Sequence, residues 1–305
     1  VTPFILDSVG YFTWSIIDYK RRKGLLDMIT KTYFSAFQNI FQNLCLEDYF
    51  LRETDEEFIL FYTNTPCVVM GNFQNPWKET SPSLLSENEV ALARRQSGGG
   101  TVFHDEGNLN FCIFRNKPLL SETDKADHLE LIQSFLRQKG VVTEKLSKSG
   151  MIFLKDKVKY KFSGEAFKQT SARSFHHGTL LISSQLDLLK KFLTPVLPEI
   201  KTKAIASNPH KVGNLADVIE GLTPLKFYQE FQAYHQLLPL DVDFGAIHQY
   251  ILEKAHHLAG AEVVLKKTPE FILRQNEIEL TVRRGQVVLE NGVEVRERDF
   301  SEREI

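Results

Sequence analysis

Hydrophobic positions along this chain follow two periods. ITKTYF from Ile29, EFILFYTN from Glu57 and PCVVMGNF from Pro66 are rich in β-branched and aromatic residues and read as strands, the last two broken at Thr65–Pro66. Between Asn39 and Arg52, Ile40, Leu44, Tyr49 and Phe50 recur near helical spacing and predict an amphipathic helix. Ser81–Asn88 carries Pro82 and two leucines behind a candidate N-cap serine, which predicts a short helix. VALARR and TVFHD read as strands, and NLNFCIF alternates Leu109, Phe111 and Ile113 with smaller or more polar partners, the pattern of a half-buried strand. A helix is expected over Asp127–Lys139. MIFLKDKVKYKFSG then reads as a hairpin turning near Lys155–Lys157, and TLLIS as a further strand. LDLLKKFLT, Phe227–Leu238 and Ala246–Leu258 have helical spacing, and the final stretch predicts short strands with turns at Arg284–Gly285 and Asn291–Gly292.

From Met28 onward this interleaving is that of one mixed domain, without internal repeat, low-complexity tract or Gly/Ser linker. With 42% hydrophobic and 25% charged residues among 305, a soluble globular protein is expected. No apolar run approaches the ~18 residues of a membrane span. Lys and Arg (37) nearly cancel Asp and Glu (39), which argues against nucleic-acid binding through a bulk positive field. Cys45, Cys67 and Cys112 form no CxxC pair and no zinc-spaced Cys–His cluster, as expected of a reducing compartment. The first segment places its charges after its apolar stretch and contains Asp7, unlike a secretory signal; the expected compartment is the cytoplasm. Residues 1–27 are expected to be an extension from an upstream start, with Met28 opening the body.

Candidate chemistry concentrates in three blocks. In Arg94-Arg95-Gln96-Ser97-Gly98-Gly99-Gly100-Thr101-Val102-Phe103-His104-Asp105, consecutive glycines suit a sharp bend or a ligand close to backbone amides. Adjacent arginines on a strand face opposite ways, so one guanidinium can enter the site and pair with phosphate or carboxylate. A flexible hairpin tip beside a solvated basic pair is the plainer reading. Neither GxGxxG after a first strand nor GxxxxGK[ST] is present. In the second block, Lys161 lies just before Ser163-Gly164 on an alternating hairpin, where one ammonium could meet a phosphate or carbonyl oxygen, while Lys155, Lys157 and Lys159 read as solvated charges. The third holds Arg173, His176, His177, Gly178 and Thr179. Neighbouring strand histidines face opposite ways and cannot share one metal without a bend. Asn72, Gln74, Asn75, Pro76, Trp77 and Lys78 form a polar, aromatic loop that could line a pocket rim, by default a surface turn.

Taken in order, QNLCLEDYFL, VVMGNFQNPWKE, LARRQSGGGTVFHDEGNLNF, KFSGEAF and RSFHHGTLLIS, with KVGNL as a weaker match, closely resemble the lipoate-protein ligase A family of the biotin/lipoate ligase superfamily, from about Asn39 to Leu215. The resemblance implies an α+β fold, a mixed central sheet flanked by helices as in class II synthetases and biotin protein ligases. It implies a catalytic domain over residues 28–245 and a reduced C-terminal accessory domain over 246–305. It also implies a two-step activity: lipoate and MgATP give lipoyl-AMP and pyrophosphate, and a lysine of a lipoyl domain then takes the acyl group. The partners implied are lipoyl domains of 2-oxoacid dehydrogenase E2 subunits and the glycine cleavage H protein, with lipoate or octanoate as small-molecule substrate and neither membrane nor nucleic acid.

By the same resemblance Lys161 is the catalytic lysine, bridging acyl carbonyl and phosphate. Arg95, Gly100, Thr101, Val102 and Phe103 contact ATP and its phosphates, and Gly98, Gly99, His104 and His177 join Lys161 around lipoate. The chemistry suits these residue types, because an anionic carboxylate must approach an anionic phosphate and needs fixed positive charge and backbone donors. Val102 and Phe103 could wall an acyl tunnel. Two departures stand out: Ser149-Gly150 replaces an Asn-Asp pair before the lysine hairpin, and the chain stops soon after Lys267-Thr268-Pro269-Glu270-Phe271. The first leaves open a lipoyltransferase that uses preformed lipoyl-AMP. A cysteine-dependent octanoyl or lipoyl amidotransferase and a degenerate acyl-binding module are the remaining alternatives, the former disfavoured because the three cysteines have aliphatic neighbours.

Overall fold

The computed structural model describes residues 29–146, 150–197, 200–275 and 277–301. The expected extension over 1–27 and the pair Lys148-Ser149 lie outside them. In chain order the elements are β1 (Lys31–Phe34), α1 (Ile40–Arg52), β2 (Ile59–Tyr62), β3 (Cys67–Met70), α2 (Pro76–Glu79), α3 (Pro82–Glu87), β4 (Ala91–Arg94), β5 (Val102–His104), β6 (Asn108–Arg115), α4 (Glu122–Gln138) and β7 (Thr143–Lys145). They continue with β8 (Met151–Lys155), β9 (Val158–Gln169), β10 (Ser174–Leu181), α5 (Leu186–Phe192), β11 (Ile200–Thr202), α6 (Pro224–His235), β12 (Leu238–Pro239), α7 (Phe244–Ala259), α8 (Ala261–Val264), β13 (Phe271–Gln275), β14 (Ile278–Arg283), β15 (Gln286–Glu290) and β16 (Val293–Asp299).

An eight-stranded mixed sheet, ordered β12-β1-β2-β6-β10-β9-β8-β7, carries the fold. Strands β3 and β4 pair in parallel and β3 pairs antiparallel to β5 in a separate three-stranded sheet, and β11 joins β13–β16 in a five-stranded one. This is the α+β architecture expected. Strand β6 is not half-buried, however; it is buried along its whole length. Leu109, Phe111 and Ile113 enter a core with Phe135 of α4 and Phe231 of α6, while Cys112 and Phe114 enter another with Phe50 of α1 and Tyr250 of α7. Helices on both faces leave no wet side, which a single strand's alternation cannot announce.

Local chemistry sets the helix starts. The Asn39 side chain accepts from the backbone N–H of Phe41 and Gln42, and Ser81 caps α3. Ser121 and Asp124 form a capping box, which starts α4 at Glu122 rather than at Asp127. The lysine hairpin turns at Asp156 and Lys157, both with positive φ, and β10 starts at Ser174, so His176 and His177 belong to the strand itself.

The division placed at 245/246 falls inside α7. Ile247, Tyr250 and Ile251 pack with Cys45, Leu46 and Phe50, and the Tyr250 hydroxyl donates to Asp48 Oδ2 at 2.6 Å, so α7 shares the core of α1. The small sheet also draws β11 from the middle of the chain. Trp77, 2% exposed, packs against Phe271 and Phe300 of that region, which removes the loop containing it from the class of surface turns.

Candidate functional site

Two arginines built into adjacent positions do different work. Arg94 is 2% exposed and donates to the carbonyls of Gly71, Asn72, Gln74, Val263 and Val264 and to Thr268 Oγ1. It thereby ties the 71–74 loop to the segment that opens the small sheet. Arg95 points the other way, as strand alternation requires, and borders the cavity described below. Its Nε donates to Ser97 Oγ at 3.1 Å, one terminal nitrogen to Val69 O at 3.1 Å, and the other to Gly98 O at 2.6 Å and Gly100 O at 2.7 Å. Burial lowers its pKa to about 10. The guanidinium expected to meet a phosphate thus also shapes the glycine loop. Gly99, at φ +86°, has Arg95 2.8 Å from where a Cβ would stand, so a side chain there meets both strain and a clash.

Ser97 extends the arrangement. Its Oγ lies 2.7 Å from His177 Nε2, and His177 Nδ1 lies 2.9 Å from Glu47 Oε1, to which the Tyr62 hydroxyl also donates at 3.0 Å. Glu47 on α1, Cys112 on β6 and His177 on β10 bring three potential metal-ligand atoms within 4.8 Å. Both His177 nitrogens are already engaged and burial pushes the Cys112 thiol well up, so the group is a hydrogen-bonded core cluster that anchors the loop.

A cavity of about 250 Å³ opens beside this loop. Leu44, Val69, Val102 and Ala166 contribute apolar wall, and Arg95, Gly99, Gly100, Thr101, His104, Asn110, Lys161, Glu165 and His177 contribute polar groups. Of the residues assigned to ATP or lipoate by the resemblance, the cavity therefore gathers all but Gly98 and Phe103. Phe103 is 1% exposed and packs with Val68, Leu85 and Phe192 on the far side of β5, so as a tunnel wall it is corrected to a core residue. Val102 faces the cavity, in keeping with the alternation of β5.

Lys161 reaches the cavity from β9. Its backbone is pinned by Lys161 N to Lys211 O at 2.8 Å and Gly213 N to Lys161 O at 3.1 Å. Burial lowers the ammonium's pKa, and the neighbouring Glu165 carboxylate opposes that shift. His104 accepts at Nδ1 from the Asn64 amide at 3.0 Å, while its Nε2 is buried with no partner among the described residues. Burial, with Arg95 nearby, lowers its pKa to about 3, so it is a neutral imidazole at physiological pH.

Two further residues support the glycine loop. Gln74 Oε1 accepts from Gly71 N at 2.9 Å and from the Thr101 hydroxyl at 2.8 Å. Ser207, from the 205–208 segment lining the cavity, accepts from Thr101 N at 2.8 Å and donates to Glu79. Gln74 belongs to the polar, aromatic loop singled out in the sequence, whereas nothing in the sequence marked Ser207. The cysteines carry no accessible thiolate: all three are buried, and burial raises the pKa of each, Cys45 to about 12. Among the described residues no helix is long and apolar enough to cross a membrane.

The fold has known counterparts. LipL1 of P. falciparum, solved in complex with lipoate, superposes with a TM-score of 0.65 at 23% identity, over 86% of this chain and 83% of its own. The bipartite lipoate protein ligase of Thermoplasma acidophilum, solved in work on its lipoylation system with its E2 lipoyl domain, gives 0.65 at 19% identity over 82% and 99%. A lipoate-protein ligase A bound with ATP gives 0.62 at 20% identity over 74% and 94%. The model of the lipoyl protein ligase A/B catalytic domain matches residues 39–236. That stretch holds the glycine loop, the lysine hairpin and both strand histidines, and the chain belongs to the lipoyl protein ligase A/B family.

Proposed function

We propose that this protein is a lipoate-protein ligase: it activates lipoate with MgATP to lipoyl-AMP and transfers the lipoyl group to a lysine of an acceptor lipoyl domain. The observation that carries this reading is the placement of one ammonium, Lys161, in the same cavity as the Gly99–Thr101 backbone and an apolar wall of Leu44, Val69 and Val102. A cavity with an ammonium beside a greasy wall suits an acid with a hydrocarbon stem. Both neighbouring complexes, one with lipoate and one with ATP, fit the same pairing of ligands.

In this reading the residues divide the work as follows. Lys161 offsets the charge of the lipoate carboxylate and of the α-phosphate as they approach, then stays beside the carbonyl oxygen as the acceptor amine attacks. The glycine loop, held in shape by Arg95 and Ser97, lets the phosphate come close to backbone. His104 lends its free Nε2 to the cavity, and Val102 and Val69 exclude water from the acyl chain. Glu165 is the one carboxylate among the described lining residues, so Mg²⁺ would arrive on the triphosphate's own oxygens rather than enter a cage of protein carboxylates. The partners proposed are lipoyl domains of 2-oxoacid dehydrogenase E2 subunits and the glycine cleavage H protein, and the proposed catalytic region runs through α7, with a reduced accessory region after it.

The test is intact mass spectrometry of an apo lipoyl domain incubated with the protein and either lipoate with MgATP or synthetic lipoyl-AMP. Mass gain under both conditions supports the ligase. Gain with lipoyl-AMP alone replaces it by a transferase, and gain with neither removes the reading.

A further inference from the structure

Gly150, just before β8, stands at the meeting point of two charged side chains. Its backbone N–H donates to Glu165 Oε1 at 3.1 Å, and a Cβ on it would lie 3.0 Å from Lys161 Cε. The same Cβ would lie 2.0 Å from Ser163 O, and φ is +99°, so no side chain can occupy the position. Lys161 and Glu165 both leave β9 on the face that lines the cavity, four residues apart in a strand whose side chains alternate. Among the described residues, the Glu165 carboxylate is the counter-charge that acts on the Lys161 ammonium.

Glu165 is also held from behind. Its Oε2 lies 2.8 Å from His176 Nε2, His176 Nδ1 lies 3.2 Å from His128 Nδ1, and His128 Nε2 lies 3.3 Å from an Arg115 terminal nitrogen. Burial lowers the pKa of both histidines, so both are neutral. With neutral rings only one proton arrangement satisfies every contact. Arg115 donates to His128 Nε2, His128 Nδ1–H to His176 Nδ1, and His176 Nε2–H to Glu165. Every donor points toward the carboxylate. Arg115, 1% exposed, is itself held by Glu57 through Nε at 3.1 Å.

We infer that the buried chain Arg115–His128–His176 fixes Glu165 as an anion beside Gly150, and that Glu165 is the positioning residue that keeps the Lys161 ammonium charged and aimed into the cavity. This rests on the reading of Lys161 as the lysine that serves acyl activation. A desolvated lysine tends to lose its proton, and a neutral amine would neither attract the two anions nor steady the developing charge. A carboxylate in a cavity for anions costs binding unless it has such a purpose. Besides Lys161, the charged or titratable groups that face Glu165 are His176 on β10, Lys145 on β7 and Glu122 on α4; Lys161 is also faced by His210 from the segment after β11.

The proposal is tested on the full chain without substrates by trace acetylation with acetic anhydride at several pH values, reading Lys161 by peptide mass spectrometry. Only the free amine reacts, so the rate reports how firmly the proton is held. Glu165→Gln is expected to label Lys161 severalfold faster than wild type at neutral pH, and Glu165→Asp to return toward the wild-type rate. Where Glu165→Gln fails to fold, His176→Gln, which breaks the donor chain at its middle, should show the same acceleration. Wild-type labelling of Lys161 in a folded variant of either kind overturns the proposal. Turnover with lipoate and MgATP adds a second readout: Glu165→Gln should lower kcat by a larger factor than it raises KM, and an unchanged kcat also overturns it. The labelling arm needs no substrate, so a protein that proves not to be a ligase is told apart from one in which Glu165 does not govern Lys161.

Discussion

Replacing Arg95 by methionine probes how the glycine loop is held. The side chain keeps similar length and loses every donor, so four acceptors lose their partner: Ser97 Oγ and the carbonyls of Val69, Gly98 and Gly100. Each buried acceptor left without a partner costs about 1–3 kcal/mol. Gly100 O borders the cavity and Gly98 is half-buried, so both carbonyls can turn to water, and Ser97 Oγ still has His177 Nε2, which leaves Val69 O as the main loss. Removing the buried charge gives some of this back. A net loss of about 2 kcal/mol follows, equivalent to a fall of about 4–8 °C in the unfolding midpoint. The loop should also lose its shape, and with it nucleotide binding. Differential scanning calorimetry and nucleotide titration measure the two effects. A variant that melts at the wild-type temperature and binds ATP as wild type does would refute the assignment of Arg95 to loop support.

Other expectations are more compact. Cys112→Ser should retain turnover, because the thiol is buried and protonated; loss of turnover in a folded variant would revive the thioester alternative. Stability should fall in acid through His104: its pKa is lowered from 6.5 to about 3, so the unfolded chain takes up a proton that the folded one refuses as pH drops below about 6.5. At pH 5 this costs about 2 kcal/mol relative to pH 7.5. Urea unfolding at the two pH values should show the difference shrinking in His104→Gln, and an unchanged difference would contradict the assignment.

Much of this site was readable from residue order because it obeys local rules. Arg94 and Arg95 had to face opposite ways on β4 and its extension, and they do; His176 and His177 on β10 likewise part, one to Glu165 and the other to Ser97. Hairpin turns at Asn291-Gly292 and Arg284-Gly285 take the positive φ that those pairs favour. What the sequence hid is long-range. Glu47 meets His177 across 130 positions, and Ser207 meets Gln74 across 133, with no spacing to betray either. Trp77 looked like part of a turn because its burial comes from Phe271 and Phe300, far along the chain. Phe103 was assigned to the cavity with its neighbours because the motif was read as a unit, whereas β5 sends alternate side chains to opposite sides. The Ser149-Gly150 departure suggested a lost carboxylate, yet at Gly150 there is no room for any side chain, and Glu165 reaches that place from the adjacent strand.

The central claim is that Lys161 carries acyl activation in this cavity. Its most direct test is the intact mass of an apo lipoyl domain after incubation with lipoate, MgATP and either wild-type protein or Lys161→Ala, each with the same far-ultraviolet circular dichroism. The account predicts a lipoyl mass increment with wild type and none with the variant; equal increments from both would contradict it.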